Sequence, residues 1–126
     1  MIPKFRAFLK DTKQIVDVEA IFFENGVAKV TDNNFYQFED LVLMQSTGLT
    51  DKNGVEIFEG DVVEHLDFNS NEISKSEVRI LKGCFYLVIS VDGFKYDVPM
   101  MDLIDNECIL EIKGNIYENP ELLEDV

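Results

Sequence analysis

A short acidic segment carries the oxygen ligands that Ca²⁺ prefers, at Asp51, Asn53 and Glu56. A calcium-binding EF-hand spreads its ligands over about twelve residues, ends in a bidentate glutamate and lies between two helices. In this chain Gly54 comes too early for such a loop, and the residues on either side alternate as strands do. The sequence therefore favours a plain turn over a calcium site.

His65 is the only histidine, and Glu64 and Asp67 are near enough in sequence to orient its ring. Nucleophilic catalysis also needs a serine or cysteine within hydrogen-bond reach of the base, and the sequence has no nucleophile elbow. On a strand with Val63, we expect His65 to face solvent or a rim of the fold. A catalytic histidine is therefore not the favoured interpretation.

Carboxylates that are close in sequence can bind a divalent ion or serve as acid and base. The pairs of this kind are Glu39–Asp40, Glu59 with Asp61, and Asp102 with Asp105. With 25 Asp and Glu residues in a chain of 126, no spacing distinguishes one pair from the others. The chain also has no Walker A loop, no dinucleotide-binding glycine motif and no HExxH zinc motif. We therefore predict no catalytic residue, no metal site and no cofactor.

Cys84 and Cys108 are the only cysteines, and apolar residues surround both. A structural zinc site needs four ligands at close spacing, which two separated thiols without a CxxC pair do not supply. We expect two buried, unpaired thiols, as is usual in a reducing cytoplasm.

The formal net charge is −14, and this acidity repels the phosphates of nucleic acids. Residues 1–16 nevertheless carry a net of three positive charges, whereas the last sixteen residues carry a net of four negative charges. The two ends either attract each other between subunits or are solvated surface, which is the usual case. The field of the whole chain argues against direct binding of DNA or RNA. The basic residues of the first stretch are Lys4, Arg6, Lys10 and Lys13.

Two groups of aromatic residues lie close together in the sequence. A stacking platform for single-stranded nucleic acid would have Lys or Arg interleaved with the rings, and only Lys95 lies close. We therefore expect these rings to pack in the core. The first group is Phe35, Tyr36 and Phe38, and the second is Phe85, Tyr86, Phe94 and Tyr96.

The elements that position these residues are predicted to be strands. Residues 4–31 predict a three-stranded meander, whose second strand alternates Val16, Val18, Ala20 and Phe22 with Asp17 and Glu19. Asn25–Gly26 predicts a type I′ hairpin, in which both central residues need a positive φ. No apolar run approaches the ~20 residues of a membrane helix. Because charges interrupt the first apolar stretch, we also expect no signal peptide and a cytoplasmic protein.

The rest of the chain continues this pattern of short strands and turns, nine or ten strands in all. Residues 35–40 fit either a short strand or a helical turn, and the polar residues 67–76 predict a mobile loop. Asp92–Gly93 predicts a second hairpin, and Asn119 with Pro120 predicts the start of a short C-terminal helix. The remaining predicted segments are strands at 41–45, 55–58, 62–66, 78–81, 84–91 (the longest), 94–98 and 108–113, and a helical turn at 100–105.

The most distinctive stretch is residues 44–63, MQSTGLTDKNGVEIFEGDVV. It resembles the hallmark of the YopX family of bacteriophages and prophages, roughly Q-[YF]-T-G-L-x-D-[KR]-x-G-x-x-[IL]-[YF]-E-G-D-[IV]-[IV]. Residues 3–8 match the usual start of that family and residues 112–123 match its usual end, so the resemblance spans almost the whole chain. Phe8, Ser46 and Lys113 depart from the residues that are common there.

This resemblance implies a phage-derived protein made in the bacterial cytoplasm, with a mostly-β fold and no assigned activity. We predict a single all-β domain over residues 1–126, with an N-terminal antiparallel meander at 1–45 and an SH3-like or barrel-like part at 46–126. The glycines of the hallmark recur six residues apart and can each supply a turn. We interpret the hallmark as structural, with its exposed acids as a recognition surface being the alternative. Its residues are Gly48, Leu49, Asp51, Gly54, Glu59, Gly60 and Asp61.

The favoured function is that of a non-enzymatic phage accessory protein that binds other proteins and itself. Several short strands leave open edges, and pairing edges between subunits is one way to manage them. We therefore predict a homo-oligomer in which the N-terminal meander takes part, with a host or phage protein as a further partner. The main alternative is an acidic DNA mimic that inhibits a host DNA-binding enzyme. An enzyme of unrecognised type and a direct nucleic-acid binder are the remaining alternatives.

Overall fold

The structure is a computed structural model that describes residues 4–66, 73–91, 94–100 and 110–123. Within these ranges the chain forms antiparallel strands and short 3₁₀ helices, so the predicted all-β fold is confirmed. The strands are β1 (Phe5–Leu9), β2 (Ile15–Phe22), β3 (Val27–Val30), β4 (Asn34–Gln37), β5 (Leu41–Thr50), β6 (Glu56–Phe58), β7 (Asp61–Leu66), β8 (Ile73–Leu81), β9 (Cys84–Val91), β10 (Phe94–Pro99) and β11 (Glu111–Asn115). The 3₁₀ helices are Thr31–Asn33, Phe38–Asp40 and Pro120–Leu123.

The chain divides into two compact units, Met1–Ser46 and Thr47–Val126. In the first unit the strands are ordered β4-β3-β2-β1-β5, which contains the predicted N-terminal meander. Its core consists of Ala7, Leu9, Ala28 and Leu41, with Val16, Val18, Tyr36, Phe38 and Leu43 packed against them.

The second unit contains the last residues of β5, followed by β6, and a sheet ordered β10-β9-β8-β7-β11. Strands β7 to β10 are consecutive neighbours, and β11 returns to lie beside β7. The buried core residues are Ile57, Val63, Val78, Leu87, Met100 and Leu110. The single-domain organisation and the SH3-like closure stay predictions.

The two-residue type I′ turn predicted at Asn25–Gly26 is wrong. Strand β2 ends at Phe22 and β3 begins at Val27, so the loop has four residues. Gly26 has a φ of 65°, whereas Asn25 is not among the described residues with positive φ. The type I′ geometry occurs instead between β8 and β9, where Lys82 and Gly83 have φ values of 52° and 79°.

Other boundaries also differ from the predictions. Residues 73–76, expected in a mobile loop, belong to β8 and pair with β7. Strand β5 continues through the predicted bend at Gly48 and, with ten residues, exceeds the eight of β9. The ambiguous segment 35–40 contains both alternatives, because β4 is followed at once by the 3₁₀ helix Phe38–Asp40. Residues 67–72, the Asp92–Gly93 turn and 101–109 lie outside the described residues.

The short C-terminal helix is present as the 3₁₀ helix Pro120–Leu123. Asn119 precedes it as predicted, but its side-chain Oδ1 accepts a hydrogen bond from the N–H of Asn115 at 3.3 Å. No helix in the described part of the chain is long and apolar enough to cross a bilayer.

Candidate functional site

The turn after β5 is built around the buried carboxylate of Asp51. Its Oδ1 accepts hydrogen bonds from the backbone N–H groups of Asn53 and Val55, both at 2.9 Å, and its Oδ2 accepts one from Ile112 at 3.1 Å. Burial by itself would raise the pKa of Asp51, but these donors and nearby Lys52 outweigh it, so the pKa lies below the usual 3.8. The carboxylate therefore fastens the turn to β11.

A second carboxylate of the hallmark, Asp61, has a comparable internal contact. Its Oδ2 accepts a hydrogen bond from the N–H of Phe58 at 2.8 Å, and Asp61 is buried. Between them, Gly60 has a φ of 88°, a conformation that side-chain-bearing residues rarely adopt. The N–H of Gly60 donates to the carbonyl of Val78 at 2.8 Å, and its own carbonyl accepts from Ile116 at 2.9 Å. The turn between β6 and β7 is thus hydrogen-bonded to β8 and to the segment after β11.

The other hallmark residues surround these two turns. Gly48 and Gly54 also have positive φ, at 77° and 79°. Leu49 packs against the core of the second unit, and Glu59 lies in the turn before Asp61. The hydrogen bonds are compatible with a structural motif, and the assignment of the whole set as structural stays a prediction.

The structure does not gather the acidic residues that were considered as ligands. Both oxygens of Asp51 face backbone donors, and in the described ranges no group of three or more His, Cys, Asp or Glu side chains is placed to hold a metal ion. Glu39 and Asp40 are exposed, whereas Asp61 is buried beside Glu59. Asp102 and Asp105 lie outside the described residues.

The expectation that His65 faces solvent or a rim is wrong. His65 is itself buried, and it lies two residues after Val63 on β7, on the face of the strand that Val63 packs into the core. Its Nε2 lies 2.8 Å from the Oγ of Ser76, which is also buried. A base and a nucleophile have this spacing in hydrolases, but a reacting group also needs access to a substrate. The pair is a buried polar contact between β7 and β8.

Cys84 is exposed, so the expectation of a buried thiol is wrong for this residue. It begins β9 directly after the Lys82–Gly83 turn, where the sheet meets solvent. Cys108 lies outside the described residues.

The expectation that the aromatic residues pack in the core holds for some of them. Tyr36 and Phe38 pack against the core of the first unit, and Phe85 packs against that of the second. Phe35, Phe94 and Tyr96 are exposed instead. For these three rings the prediction is wrong.

Two exposed phenylalanines lie together in the first unit, and we call Phe22 and Phe35 the β4 patch. Their exposed fractions are 46% and 60%. The rings of Phe22 and Phe35 have centroids 6.4 Å apart. Phe23 is also exposed, but its ring meets that of Phe38 in a T-shaped arrangement, with centroids 6.2 Å apart. A contiguous exposed apolar surface is a candidate contact site for another protein.

A β-bulge in β2 explains why Phe22 is exposed. Val18 pairs with Val30 and Ala20 pairs with Lys29, so Glu19 is the extra residue. An extra residue moves all later side chains to the opposite face of a strand. Ile21 then pairs with buried Ala28, and Phe22 points away from the core. Simple alternation would have put Phe22 on the face of Val16 and Val18.

The charged ends of the chain are partly engaged by internal contacts. Glu111 pairs with Lys52 at 2.8 Å and with Lys113 at 3.2 Å. The hydrogen bonds from Lys52 and then Lys113 lower the pKa of Glu111, and Glu111 raises the pKa of Lys52. Lys10 donates to the backbone carbonyl of Glu39 at 2.8 Å. Attraction between the two ends in different subunits stays a prediction.

Sequence reasoning did not single out the contact that holds the C-terminal segment. A Cβ on Gly114 would collide with the side chain of Asn119 and would lie 2.9 Å from Leu122 Cδ1. The Oδ1 of Asn115 accepts hydrogen bonds from the N–H groups of Tyr117 and Glu118, at 3.0 and 2.8 Å. The glycine thus leaves room for the chain to fold back over β11.

Phe22, Phe23 and Ser76 were also missed, although the first two leave a signal. Phe22 and Phe23 are adjacent, and adjacent residues of an extended strand cannot both face one core. Ser76 gives no such signal, because its contact with His65 depends on the pairing of β7 with β8.

Comparison with known proteins finds one family and several solved structures. The YopX protein family matches residues 4–124. The crystal structure of protein EF1440 from Enterococcus faecalis is similar, with 29% identity, a TM-score of 0.67, and coverage of 98% of this chain and 99% of that one. Protein yopX from Bacillus subtilis has 19% identity, a TM-score of 0.63, and coverage of 96% and 98%. Curated protein sequences give no match.

Proposed function

The chain belongs to the YopX protein family, and from that premise we propose that it is a non-enzymatic protein that acts by binding protein surfaces, including copies of itself. The proposal includes the phage origin and cytoplasmic location that the sequence resemblance implies. The contact surface is the β4 patch of the N-terminal unit.

One observation carries this proposal, the exposure of Phe22 and Phe35 beside an edge strand. Both side chains project from the face of the sheet opposite to the core, and their rings form a continuous apolar surface. Burying an exposed phenylalanine contributes about 1.5–3 kcal/mol. A surface of this kind favours association with another apolar protein surface.

The alternative of a DNA mimic receives less support from the arrangement of charges. A mimic needs acids that present phosphate-like negative charge. Here Glu19, Glu77 and Glu111 each pair with a lysine or arginine of the same chain. These pairs neutralise part of the acidic surface locally. We therefore do not propose this function.

Sedimentation velocity and light scattering over the micromolar range test the proposal. We expect the wild-type chain to associate, and Phe35→Ser to shift it towards the monomer because the substitution removes apolar surface from the β4 patch. Phe94→Ser is the matched control, because Phe94 is also an exposed phenylalanine on an edge strand. Circular dichroism checks that both variants keep the fold. A wild-type chain that stays monomeric, or a control as disruptive as Phe35→Ser, would contradict the proposal.

A further inference from the structure

The edge strands in the described sheets differ in how they are protected from pairing. Natural proteins protect edges with charges, proline, bulges or very short strands. Strand β10 carries Lys95, Asp97 and Pro99, and β11 has Glu111 and Lys113 together with a register shift. Strand β6 has three residues and includes Glu56. Strand β4, with the sequence NFYQ, has no charge, proline or register shift.

The hydrogen bonds of β4 show which backbone groups point outward. The N–H of Phe38 donates to the carbonyl of Gly26 at 2.9 Å, one position beyond the Val27–Gln37 pair. Hydrogen-bonded and non-hydrogen-bonded pairs alternate in an antiparallel ladder. The backbone N–H and C=O groups of Tyr36 therefore hydrogen-bond to Ala28 of β3. Those of Phe35 and Gln37 point away from β3. These groups form an open edge.

The charge distribution favours a second copy of this chain as the occupant. Two copies, each with a net charge of −14, repel each other least when they meet through the unit that carries least of it, and residues 1–46 hold five basic and seven acidic residues, a net of −2. The outer face at this edge carries Lys29 as its charged side chain on β3 and β4, and Lys29 pairs with Glu19 at 3.4 Å. A basic partner would instead be drawn to the acids elsewhere on the chain. The four uncharged residues of β4 therefore suit a like-charged copy, with exposed Glu39 and Asp40 lying beyond the end of the strand.

We infer that β4 pairs antiparallel with β4 of a second copy, about a two-fold axis at Tyr36. Phe35 of each copy then lies opposite Gln37 of the partner subunit, and the two residues exchange both backbone hydrogen bonds. On the face opposite to the core, Phe35 of each copy then lies in line, across the strands, with Val27 of the partner subunit and Phe22 of the partner subunit. This inference rests on the proposed function, because the β4 patch becomes the centre of the paired sheet.

Gln37→Pro is the decisive variant, with Gln37→Ala as its matched control. Gln37 has a φ of −73°, which proline adopts without strain, and its N–H points outward. Proline therefore removes the intersubunit donor and leaves the pairing of β3 with β4 intact. We expect Gln37→Pro to weaken self-association by about tenfold or more, since one hydrogen bond is lost per copy. Gln37→Ala keeps the backbone N–H donor and should change the self-association constant by less than about threefold.

Amide hydrogen exchange of the wild-type chain gives a second measurement that needs no variant. The amides of Phe35 and Gln37 should exchange more slowly as the protein concentration rises, because pairing covers them. The amide of Tyr36 already bonds within the monomer and should be slow at every concentration.

The outcomes separate this inference from the proposed function. If Phe35→Ser abolishes association and Gln37→Pro matches Gln37→Ala, the β4 patch is the interface but strand pairing is wrong. If the amides of Phe35 and Gln37 exchange at rates independent of concentration while the chain is associated, the pairing is also wrong. If neither variant changes association, or if the wild-type chain is monomeric, both the pairing and the proposed surface are wrong.

Discussion

The carboxylate of Asp51 accepts a hydrogen bond from the backbone N–H of Ile112 at 3.1 Å, although the two residues are 61 positions apart in the chain. The same carboxylate caps its own turn through Asn53 and Val55. One side chain thus fixes both a local turn and the position of β11. Asp51 is therefore a residue on which the stability of the second unit depends.

Asp51→Asn should lower the free energy of unfolding by about 1–3 kcal/mol. An amide that keeps its oxygen towards Asn53 and Val55 turns its NH₂ group towards the N–H of Ile112, which leaves donors facing each other. Urea denaturation at neutral pH measures the change. Asp17→Asn is the control on an exposed strand position and should stay within about 0.5 kcal/mol. Equal effects of the two substitutions would contradict the role given to Asp51.

The contribution of Asp51 should also depend on pH. Its folded-state pKa is lowered below 3.8, so the ionised carboxylate stabilises the fold at pH values above the unfolded pKa. This stabilisation is lost as the pH falls through the folded-state pKa. The difference in unfolding free energy between wild type and Asp51→Asn should be constant from about pH 7 to 5 and should narrow below about pH 4. A difference that widens in acid would mean that the pKa is raised.

Gly114→Ala should destabilise the C-terminal segment by about 1–3 kcal/mol, the usual range for overpacking. The added methyl group meets Asn119 and Leu122. Thermal unfolding measures the loss of stability, and Leu122→Ala tests whether the Leu122 side chain causes it. In the Leu122→Ala background, Gly114→Ala should lower the stability by less, because part of the obstruction is gone. Strictly additive effects would show that Leu122 is not the obstacle.

The contact between His65 and Ser76 should be worth about 1 kcal/mol in a double-mutant cycle. The cycle compares His65→Ala, Ser76→Ala and the double substitution by urea denaturation. Because both side chains are buried, we also expect a serine-reactive phosphonate to leave Ser76 unmodified. Labelling of Ser76 would instead indicate an accessible nucleophile and would contradict the non-enzymatic proposal.

Lys82→Asn should raise the melting temperature. Lys82 has a φ of 52° in a type I′ turn, and asparagine tolerates left-handed backbone better than lysine does. The gain in the free energy of unfolding should be a fraction of the roughly 1 kcal/mol by which a left-handed backbone destabilises most residues. Lys82→Val is the opposing variant and should lower the melting temperature, because a β-branched residue fits the turn poorly. If Asn also raised and Val also lowered the melting temperature at exposed Lys75, inside β8, the turn would not be the cause.

Much of the fold was predictable because it depends on neighbours in sequence. Alternation placed β1 and most of β2, Pro120 marked the last 3₁₀ helix, and the hallmark placed the turns at Asp51 and Gly60. The β4 segment was ambiguous, since four residues that read as neither helix nor strand take their state from pairing with β3. The turn at Asn25–Gly26 was mistaken because loop length depends on where two strands stop pairing.

By itself the sequence determined the β class, the strand-and-turn order, the family and the acidity, all of which follow from local patterns and composition. Tertiary structure alone decided which side chains meet solvent and which meet each other. The bulge at Glu19 turns Phe22 outward, and the pairing of β7 with β8 encloses His65 beside Ser76. The physical reason is register, because a shift of one residue exchanges the two faces of a strand. The way in which two strands pair in space sets register, and local patterns leave it open.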